Sequence, residues 1–469
     1  MPRMLFQFCI SICLAGVLLL PASGYSAERV SVLDSVTAAF AYNPELKSSQ
    51  ESRLSSQHAV EKAKAGYAPK IFVYGTAGVG RLSDSNTRAH DEHDDMHGFY
   101  NSGIRLTQPI WYGGETTANV AGREAQLQSA DSMLEDKGSS LAFNAIVAHI
   151  EVLRRQELVE LAKRNVSEHA KILATVRTRY NTQIATVGEL NQVQSRYSRA
   201  KATLSSYESV LDAAKASYLR VTGHQPGDLV PAHAPEVDYK NIDSVREACL
   251  TGNPRIKSAM SEVDASIGDR DLAESRFYPR FDAEFGPSWS DRDSRGETRV
   301  DNVEAALRMR WDIFSGGEDQ ASVRMANAKI RQNRQTLHSL MDILNEDIES
   351  TFSRWLSSVV QADEYNAAKK ASRLARDDYY RQFLSAQRSL IDVLDAENDF
   401  FYSASQEVLS KGDRVIATYR LLTLSGQLLS KLNVTLANLR GTGPTTDENN
   451  TNLRSAFDTP LFTKSSSAR

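Results

Sequence analysis

Apolar and polar residues alternate in four short stretches of the chain, and each stretch predicts a β-strand. The fourth is the clearest, because every second residue from Val303 to Ile313 is apolar while most residues between them are polar. The predicted strands span residues 71–81, 99–110, 281–286 and 300–313. A sheet built from them has one apolar face and one polar face.

Helical periodicity dominates the rest of the chain. It runs over residues 115–181 and again over 318–384, about 67 residues each time. At 1.5 Å per residue each helix is roughly 100 Å long, and the apolar stripe of such a rod needs partner helices, as in coiled coils. Return helices are predicted over 189–222 and 390–432, which gives hairpins over 115–222 and 318–432.

A Gly-Gly pair separates strand from helix twice, 203 residues apart, at Gly113-Gly114 and at Gly316-Gly317. Glycine lets the backbone leave strand geometry at little steric cost, so each pair predicts a strand-to-helix joint. The chain therefore consists of two copies of one unit, each opening with a helix that contains an Asn-Pro pair and spans 30–66 in the first copy. The predicted repeats are 28–222 and 242–436, joined by a linker over 223–241.

The two ends of the chain have distinct compositions. Residues 1–27 have a basic start and an apolar centre, which predicts a secretory signal peptide cleaved between 24 and 27. Its removal leaves Cys249 as the one cysteine, so we expect no intramolecular disulfide. Residues 437–469 are rich in Thr, Ser, Asn and Gly, which predicts a disordered tail.

Composition and motifs argue against several classes of function. The net charge of −4 offers no case for nucleic-acid binding. We find no phosphate-binding loop, nucleophile elbow or zinc motif, so we expect no enzyme and no cofactor. Residues 90–97 are rich in His, Asp and Glu; metal binding is chemically feasible there, but a solvated extracellular loop is the preferred interpretation.

Four amphipathic strands of about ten residues match those of outer-membrane barrels, although a small soluble sheet with one buried face is the alternative. Aromatic residues near the strand ends suit the membrane interfaces. Four strands cannot close a barrel, and open edges are not tolerated in lipid. The barrel interpretation therefore requires the chain to oligomerise.

With its Asn-Pro helices, its proline-bounded strands, both Gly-Gly joints and the two hairpin turns, the sequence resembles the TolC family of outer-membrane channel proteins. The resemblance implies a mainly α fold with a small β part. It further implies a homotrimer in which twelve strands form one barrel in the outer membrane and the hairpins form a tunnel across the periplasm. The implied partners are outer-membrane lipids, a periplasmic adaptor and an inner-membrane ABC or proton-driven pump.

The two hairpin turns are candidates for a gate at the periplasmic end. Thr186 with Glu189, and Ser389 with Asp392, fit helix-capping boxes, which is one interpretation of both acids. The resemblance implies a second role for several residues here. It implies a pore constriction lined by Asp392 and Asp395, and gate links involving Glu189, Arg388 and Phe383. Phe383 stands where the family can have a tyrosine, so we expect Arg388 to contact Glu189 or backbone instead.

The function that follows is the outer-membrane exit duct of a tripartite export system. Its cargo is open between proteins, as in type I secretion, and small molecules, as in dedicated multidrug efflux. The absence of a lipoprotein cysteine favours type I secretion or a shared channel. An alternative of another class is a periplasmic adaptor or structural coiled-coil protein, which would lack the two pairs of strands.

Overall fold

The computed structural model describes residues 29–81, 83, 85–89, 91, 94, 96–236, 241–292, 299–435 and 439–440. The predicted signal peptide, half of the acidic, His-rich stretch and most of the predicted tail lie outside these residues. Among the described residues, no helix carries an apolar run long enough to cross a membrane.

Each repeat contains short helices, two long strands and a hairpin of very long helices. The first comprises β1 (Arg29–Val30), α1 (Val32–Tyr42), α2 (Pro44–Lys64), β2 (Lys70–Gly80), α3 (Ser85–Ala89), β3 (His97–Trp111), α4 (Glu115–Asn181) and α5 (Val187–Thr222). After β4 (Asp228–Leu229), the second comprises α6 (Ile242–Gly252), α7 (Pro254–Glu274), β5 (Arg280–Arg292), β6 (Val300–Arg310), α8 (Glu318–Leu384), α9 (Leu390–Leu424) and α10 (Leu428–Lys431). The predicted mainly α fold with a small β part is confirmed.

The predicted helix over 30–66 is in fact two helices, divided at Asn43. The Asn43 side chain accepts hydrogen bonds from the backbone N–H groups of Glu45 and Leu46, at 2.8 and 3.3 Å. Pro44 then occupies the first helical position, where its missing N–H costs nothing. The Asn-Pro pair thus starts a new helix rather than bending an existing one.

The four long strands form one antiparallel sheet in the order β2-β3-β5-β6. The prediction that the third strand ends at residue 286 is wrong, since β5 continues to Arg292. Pro287 is tolerated because its pairing with β3 is interrupted there: Phe285 pairs with Leu106, and the next pair is Ser288 with Gly103. The predicted fourth strand is too long, since β6 ends at Arg310.

One face of the sheet is apolar and exposed in the single chain. Its exposed residues include Ile71, Val73, Val79, Ile104, Val303, Leu307 and Met309. A β-bulge in β3 between Pro109 and Trp111 brings Trp111 opposite Phe281, with their ring centroids 6.1 Å apart. The opposite face carries charged pairs such as Arg308 with Glu284, at 2.9 and 3.0 Å.

The long helices pack as two hairpins that also contact each other. Helix α4 contacts α2, α5, α7 and α9, while α8 contacts α7 and α9. Where α1, α2, α4 and the end of α9 meet lies the largest apolar cluster, which we name the central core. Its members include Val36, Leu46, Leu134, Ile146, Leu422, Leu428 and Leu439.

The predicted linker contains a short strand, β4, which pairs in parallel with β1. The buried His149 forms hydrogen bonds next to β4. Its Nε2 donates to the carbonyl of Val230 at 2.8 Å, and its Nδ1 accepts from the Ser35 hydroxyl at 2.9 Å. Burial lowers the pKa of His149, which favours this neutral form. The linker is thereby attached to helices α1 and α4.

The prediction of a tail starting at residue 437 does not hold for Leu439 and Arg440. Leu439 is 1% exposed and belongs to the central core. Its carbonyl accepts a hydrogen bond from the Gln50 side chain at 2.6 Å, and Arg440 forms an ion pair with Asp131 at 2.9 Å. The site accepts Leu439 because Gly138 has no side chain; a Cβ there would lie 2.7 Å from a Leu439 methyl group.

Candidate functional site: the joints and the helix tips

The two Gly-Gly joints have the same backbone geometry. Their φ values are +63° and +86° in the first copy, and +69° and +89° in the second. All four glycines therefore adopt the left-handed conformation that other residues avoid. Gly114 and Gly317 each lie immediately before a long helix, and the preceding strands β3 and β6 end at Trp111 and Arg310.

The other ends of the long helices form the second candidate site. The turns between α4 and α5 and between α8 and α9 are held together by an apolar group that we name the tip cluster. Its buried members are Ile172, Leu173, Val176, Val193, Phe383, Leu390, Val393 and Leu394. Because both hairpins contribute, the cluster joins their ends within one chain.

Both turns close α4 and α8 in the same way. Gln183 and Ala386, 203 residues apart, have φ values of +57° and +61°. The next residue in each turn donates its N–H to a helix carbonyl: Ile184 to Arg179 at 2.8 Å, and Gln387 to Gln382 at 2.9 Å. This is the hydrogen bond of a Schellman-type helix end.

The predicted capping box at Glu189 is confirmed. The Thr186 backbone N–H donates to the Glu189 carboxylate at 2.7 Å, and the Thr186 hydroxyl accepts from the Glu189 backbone N–H at 3.2 Å. At the second turn, the Ser389 hydroxyl donates to the Asp392 carboxylate at 2.9 Å. This hydrogen bond, and then the nearby charge of Arg388, lower the pKa of Asp392, so Asp392 is ionised at neutral pH.

Arg388 bonds locally rather than to the other hairpin of the same chain. It lies 3.5 Å from the Asp392 carboxylate, and its guanidinium carbon is 3.8 Å from the centroid of the Tyr379 ring. Its Nε donates to the Gln382 side chain at 3.3 Å. The expected Arg388–Glu189 contact is therefore not made within the described chain.

At the tips, two arginines that the sequence did not single out form polar contacts between the two hairpins. Arg196 of α5 forms an ion pair with Asp395 of α9 at 3.2 Å. Arg179 of α4 donates to the carbonyls of Phe383 and Leu384 at 2.9 and 3.0 Å, and lies 4.2 Å from the centroid of the Phe383 ring. Phe383 thus takes part in a link through its ring and carbonyl, without a hydroxyl.

A buried acid, also missed by the sequence, lies in the groove between the hairpins. Glu397 of α9 is 3% exposed and 3.7 Å from Arg376 of α8. It lines two adjoining cavities of about 500 and 400 Å³ together with Glu168 of α4. Burial raises the pKa of Glu397 to about 7; Arg376 opposes this rise, and the charges of Glu168 and Asp377 add to it.

We expect Glu397→Gln to stabilise the protein at pH 8 and to have less effect at pH 5. The pKa of glutamate is 4.5 in the unfolded chain and about 7 here, so the folded protein binds more protons between these values and its stability falls as pH rises through them. Glutamine does not ionise, and the gain at pH 8 should be on the order of 3 kcal/mol.

Thermal unfolding followed by circular dichroism at the two pH values measures this effect. Glu364→Gln, which removes a charge from an exposed position on α8, is the matched control. An equal gain at both pH values would show that ionisation of Glu397 is not responsible.

Within the described ranges, no group of three or more His, Cys, Asp or Glu residues could hold a metal ion. Residues 90, 92, 93 and 95 lie outside those ranges, so the metal interpretation of the stretch 90–97 is untested. The arrangement at the tips is one of helix caps and inter-helix contacts around exposed acids.

Comparison with known proteins gives a family and a fold. The family described as outer membrane efflux protein matches residues 36–224 and 245–427. The outer membrane efflux protein BepC of Brucella suis is 24% identical over 90% of this chain and 91% of its own length. The alkaline protease secretion protein AprF of Pseudomonas aeruginosa is 20% identical over 86% of this chain and 85% of its own length.

Among solved structures, the CmeC outer membrane channel of Campylobacter jejuni superposes with a TM-score of 0.73 at 12% identity, covering 85% of this chain and 86% of that one. At this level of identity the superposition supports the fold. The family match extends over most of both repeats and all of both helical hairpins. The chain therefore belongs to the outer membrane efflux protein family.

Proposed function

We propose that three copies of this chain form an outer-membrane export duct that continues through the periplasm. The observation that carries the proposal is a sheet with an exposed apolar face and two open edges, joined at both Gly-Gly pairs to helices of 67 residues. Lipid accommodates the apolar face, and the open edges β2 and β6 need partner strands. Three copies supply twelve strands, which is enough to close a barrel, whereas four strands are not.

The duct is passive in this proposal and has no catalytic role. The relatives are named for two kinds of export, efflux for BepC and protease secretion for AprF. We infer a role in which an inner-membrane pump supplies the energy and a periplasmic adaptor connects the pump to the tips. Secreted protein is the first candidate cargo and small molecules are the second.

The membrane part of the proposal is tested by fractionation. We expect the protein in outer-membrane fractions as a trimer that migrates as a monomer only after heating. A soluble periplasmic monomer would overturn the channel and favour the alternative of an adaptor. A deletion strain, assayed for secreted proteins and for drug sensitivity, then separates the two cargoes.

Replacing Asp392 and Asp395 together by alanine is expected to weaken the cation selectivity of the channel. Both side chains are partly exposed on the first turns of α9, and in a trimer each becomes a ring of three. Rings of carboxylates in a pore favour cations, and the capped Asp392 is ionised. The measurement is the reversal potential of single channels under a salt gradient.

The control for this variant is Asp363→Ala, which removes a carboxylate from an exposed position on α8. The rings act as proposed only if the double variant shifts the reversal potential towards zero and the control does not. An unchanged reversal potential would remove both residues from the selectivity role.

A further inference from the structure

An exposed arginine on the polar face of the sheet lies beside two aromatic rings. Arg105 of β3 pairs with Phe72 of β2. Its guanidinium carbon lies 5.7 Å from the centroid of the Phe72 ring and 5.6 Å from that of the Tyr74 ring. Both distances are within the range of a cation–π interaction. The two rings therefore hold an exposed positive charge in one position.

The sheet provides a place for the Tyr74 ring. Tyr74 pairs with Gly103 of β3, and a Cβ at Gly103 would lie 2.7 Å from the Tyr74 hydroxyl oxygen. Glycine within a strand often marks such a close approach. Because position 103 has no side chain, the ring can lie across β3, on the face from which Arg105 projects two residues later.

Arg105 differs from other arginines of this face in its polar partners. Arg280 forms an ion pair with Glu115 at 2.8 Å, and Arg308 forms one with Glu284 at 2.9 Å. Among the described residues, Arg105 has no carboxylate within 4 Å, and its side chain makes no hydrogen bond. A guanidinium has five N–H donors, and contact with the two rings leaves them available to an anion.

We propose that Arg105, together with Phe72 and Tyr74, forms a binding site for carboxylate groups on the wall of the export duct. The inference rests on the proposed function, because the polar face lines a duct only when three sheets close one barrel. A carboxylate can accept two parallel hydrogen bonds from a guanidinium. The rings already order this guanidinium, so binding costs less conformational entropy than it would at a free arginine.

The number of sites indicates the kind of cargo that they bind. Three copies of the chain place three Arg105 sites around one barrel. A molecule with many carboxylates along a chain can contact more than one site at once, which raises its overall affinity, whereas a small acid can contact only one. The ligand that we assign is therefore an acidic segment of a polypeptide in transit.

The test is the block of single-channel current through the full-length trimer in planar bilayers, with decaglutamate as the acidic polypeptide and glutarate as the small acid. Decaglutamate should block the wild-type channel at a concentration at least about tenfold below that of glutarate. In Arg105→Gln the half-blocking concentration of decaglutamate should rise at least about fivefold, because the charge-assisted hydrogen bonds are lost. Arg105→Lys, which keeps the charge without the planar donors, should give an intermediate value.

Arg308→Gln is the matched control, since it removes the same charge from the same face at a position where Glu284 already forms an ion pair. It should be blocked like the wild type. Phe72→Leu keeps the arginine and removes one ring, so it should raise the half-blocking concentration at least about twofold. This variant replaces Arg105→Gln if the latter does not assemble.

The results separate the site from the duct. A wild-type channel that conducts but is not blocked by decaglutamate overturns the site alone. The same conclusion follows if Arg105→Gln is blocked as readily as Arg308→Gln, or if glutarate blocks as well as decaglutamate. A wild-type trimer that forms no channel overturns the duct and the site with it. A rise confined to the Arg105 and Phe72 variants supports the site.

Discussion

Gly113→Ala is expected to destabilise the protein far more than Gly316→Ala, although the two glycines occupy the same position in the two repeats. Both have positive φ values, +63° and +69°, so alanine costs about 1–2 kcal/mol of backbone strain at either site. At Gly113, however, a Cβ would lie 2.6 Å from the Ser275 carbonyl oxygen and 2.6 Å from the Tyr278 Cβ. Apart from Gly316 itself and its two chain neighbours, no atom of the described residues lies within 4 Å of the position that a Cβ would take at Gly316.

The clash at Gly113 involves backbone and a Cβ atom, which cannot turn away as the end of a long side chain can. Overpacking of this kind typically adds about 1–3 kcal/mol to the strain. We therefore expect Gly113→Ala to lower the temperature at which the proposed trimer dissociates on gels, and also the amount of trimer assembled. Gly316→Ala is the internal control, and equal shifts in the two variants would show that backbone strain alone decides the outcome.

Leu439→Ala is expected to cost on the order of 2–5 kcal/mol, the range for truncating a buried leucine. Leu439 is 1% exposed, packs in the central core and fills the space beside Gly138. Arg440→Ala is the matched comparison at the neighbouring residue. It removes an ion pair whose arginine side chain is 41% exposed, so its cost should be at most about 1 kcal/mol.

Thermal unfolding of the purified protein ranks these variants. Leu439→Ala should unfold well below the wild-type temperature, and Arg440→Ala close to it. If Leu439→Ala and Arg440→Ala behaved alike, the central core would not depend on this part of the chain.

The sequence predicted α4 and α8 to the residue, but it predicted the sheet only approximately and the end of α9 wrongly, since α9 ends at Leu424 and not at residue 432. Glu115–Asn181 and Glu318–Leu384 were predicted with their observed bounds, because each starts after a Gly-Gly pair and ends at a marked turn. The length of β5 was missed because Gly286-Pro287 favours a turn in isolation. A proline is acceptable in that strand only where pairing with the neighbour is interrupted, and this depends on β3, about 180 residues earlier.

At the tips as well, contacts between residues close in the sequence were predictable, whereas contacts between distant residues were not. The hydrogen bonds of Thr186 with Glu189 and of Ser389 with Asp392 were predictable because the partners are three residues apart. The partners of Arg179 and Arg196 lie about 200 residues away, and an arginine near a helix end is too common to indicate one. Burial of Glu397 was missed for a related reason, since it depends on how α4 and α8 lie against α9.

The equal lengths of α4 and α8, 67 residues each, constrain how such a duct can change in evolution. Removing two turns from one helix alone would shift its tip by roughly 11 Å along the axis and separate Arg179 from the carbonyls it binds. The return helices α5 and α9 would need the same change. A shorter or longer periplasmic span therefore requires equal deletions or insertions in all four helices. The internal duplication therefore constrains the length of the helical part, because the helices of one repeat cannot change length unless those of the other repeat change equally.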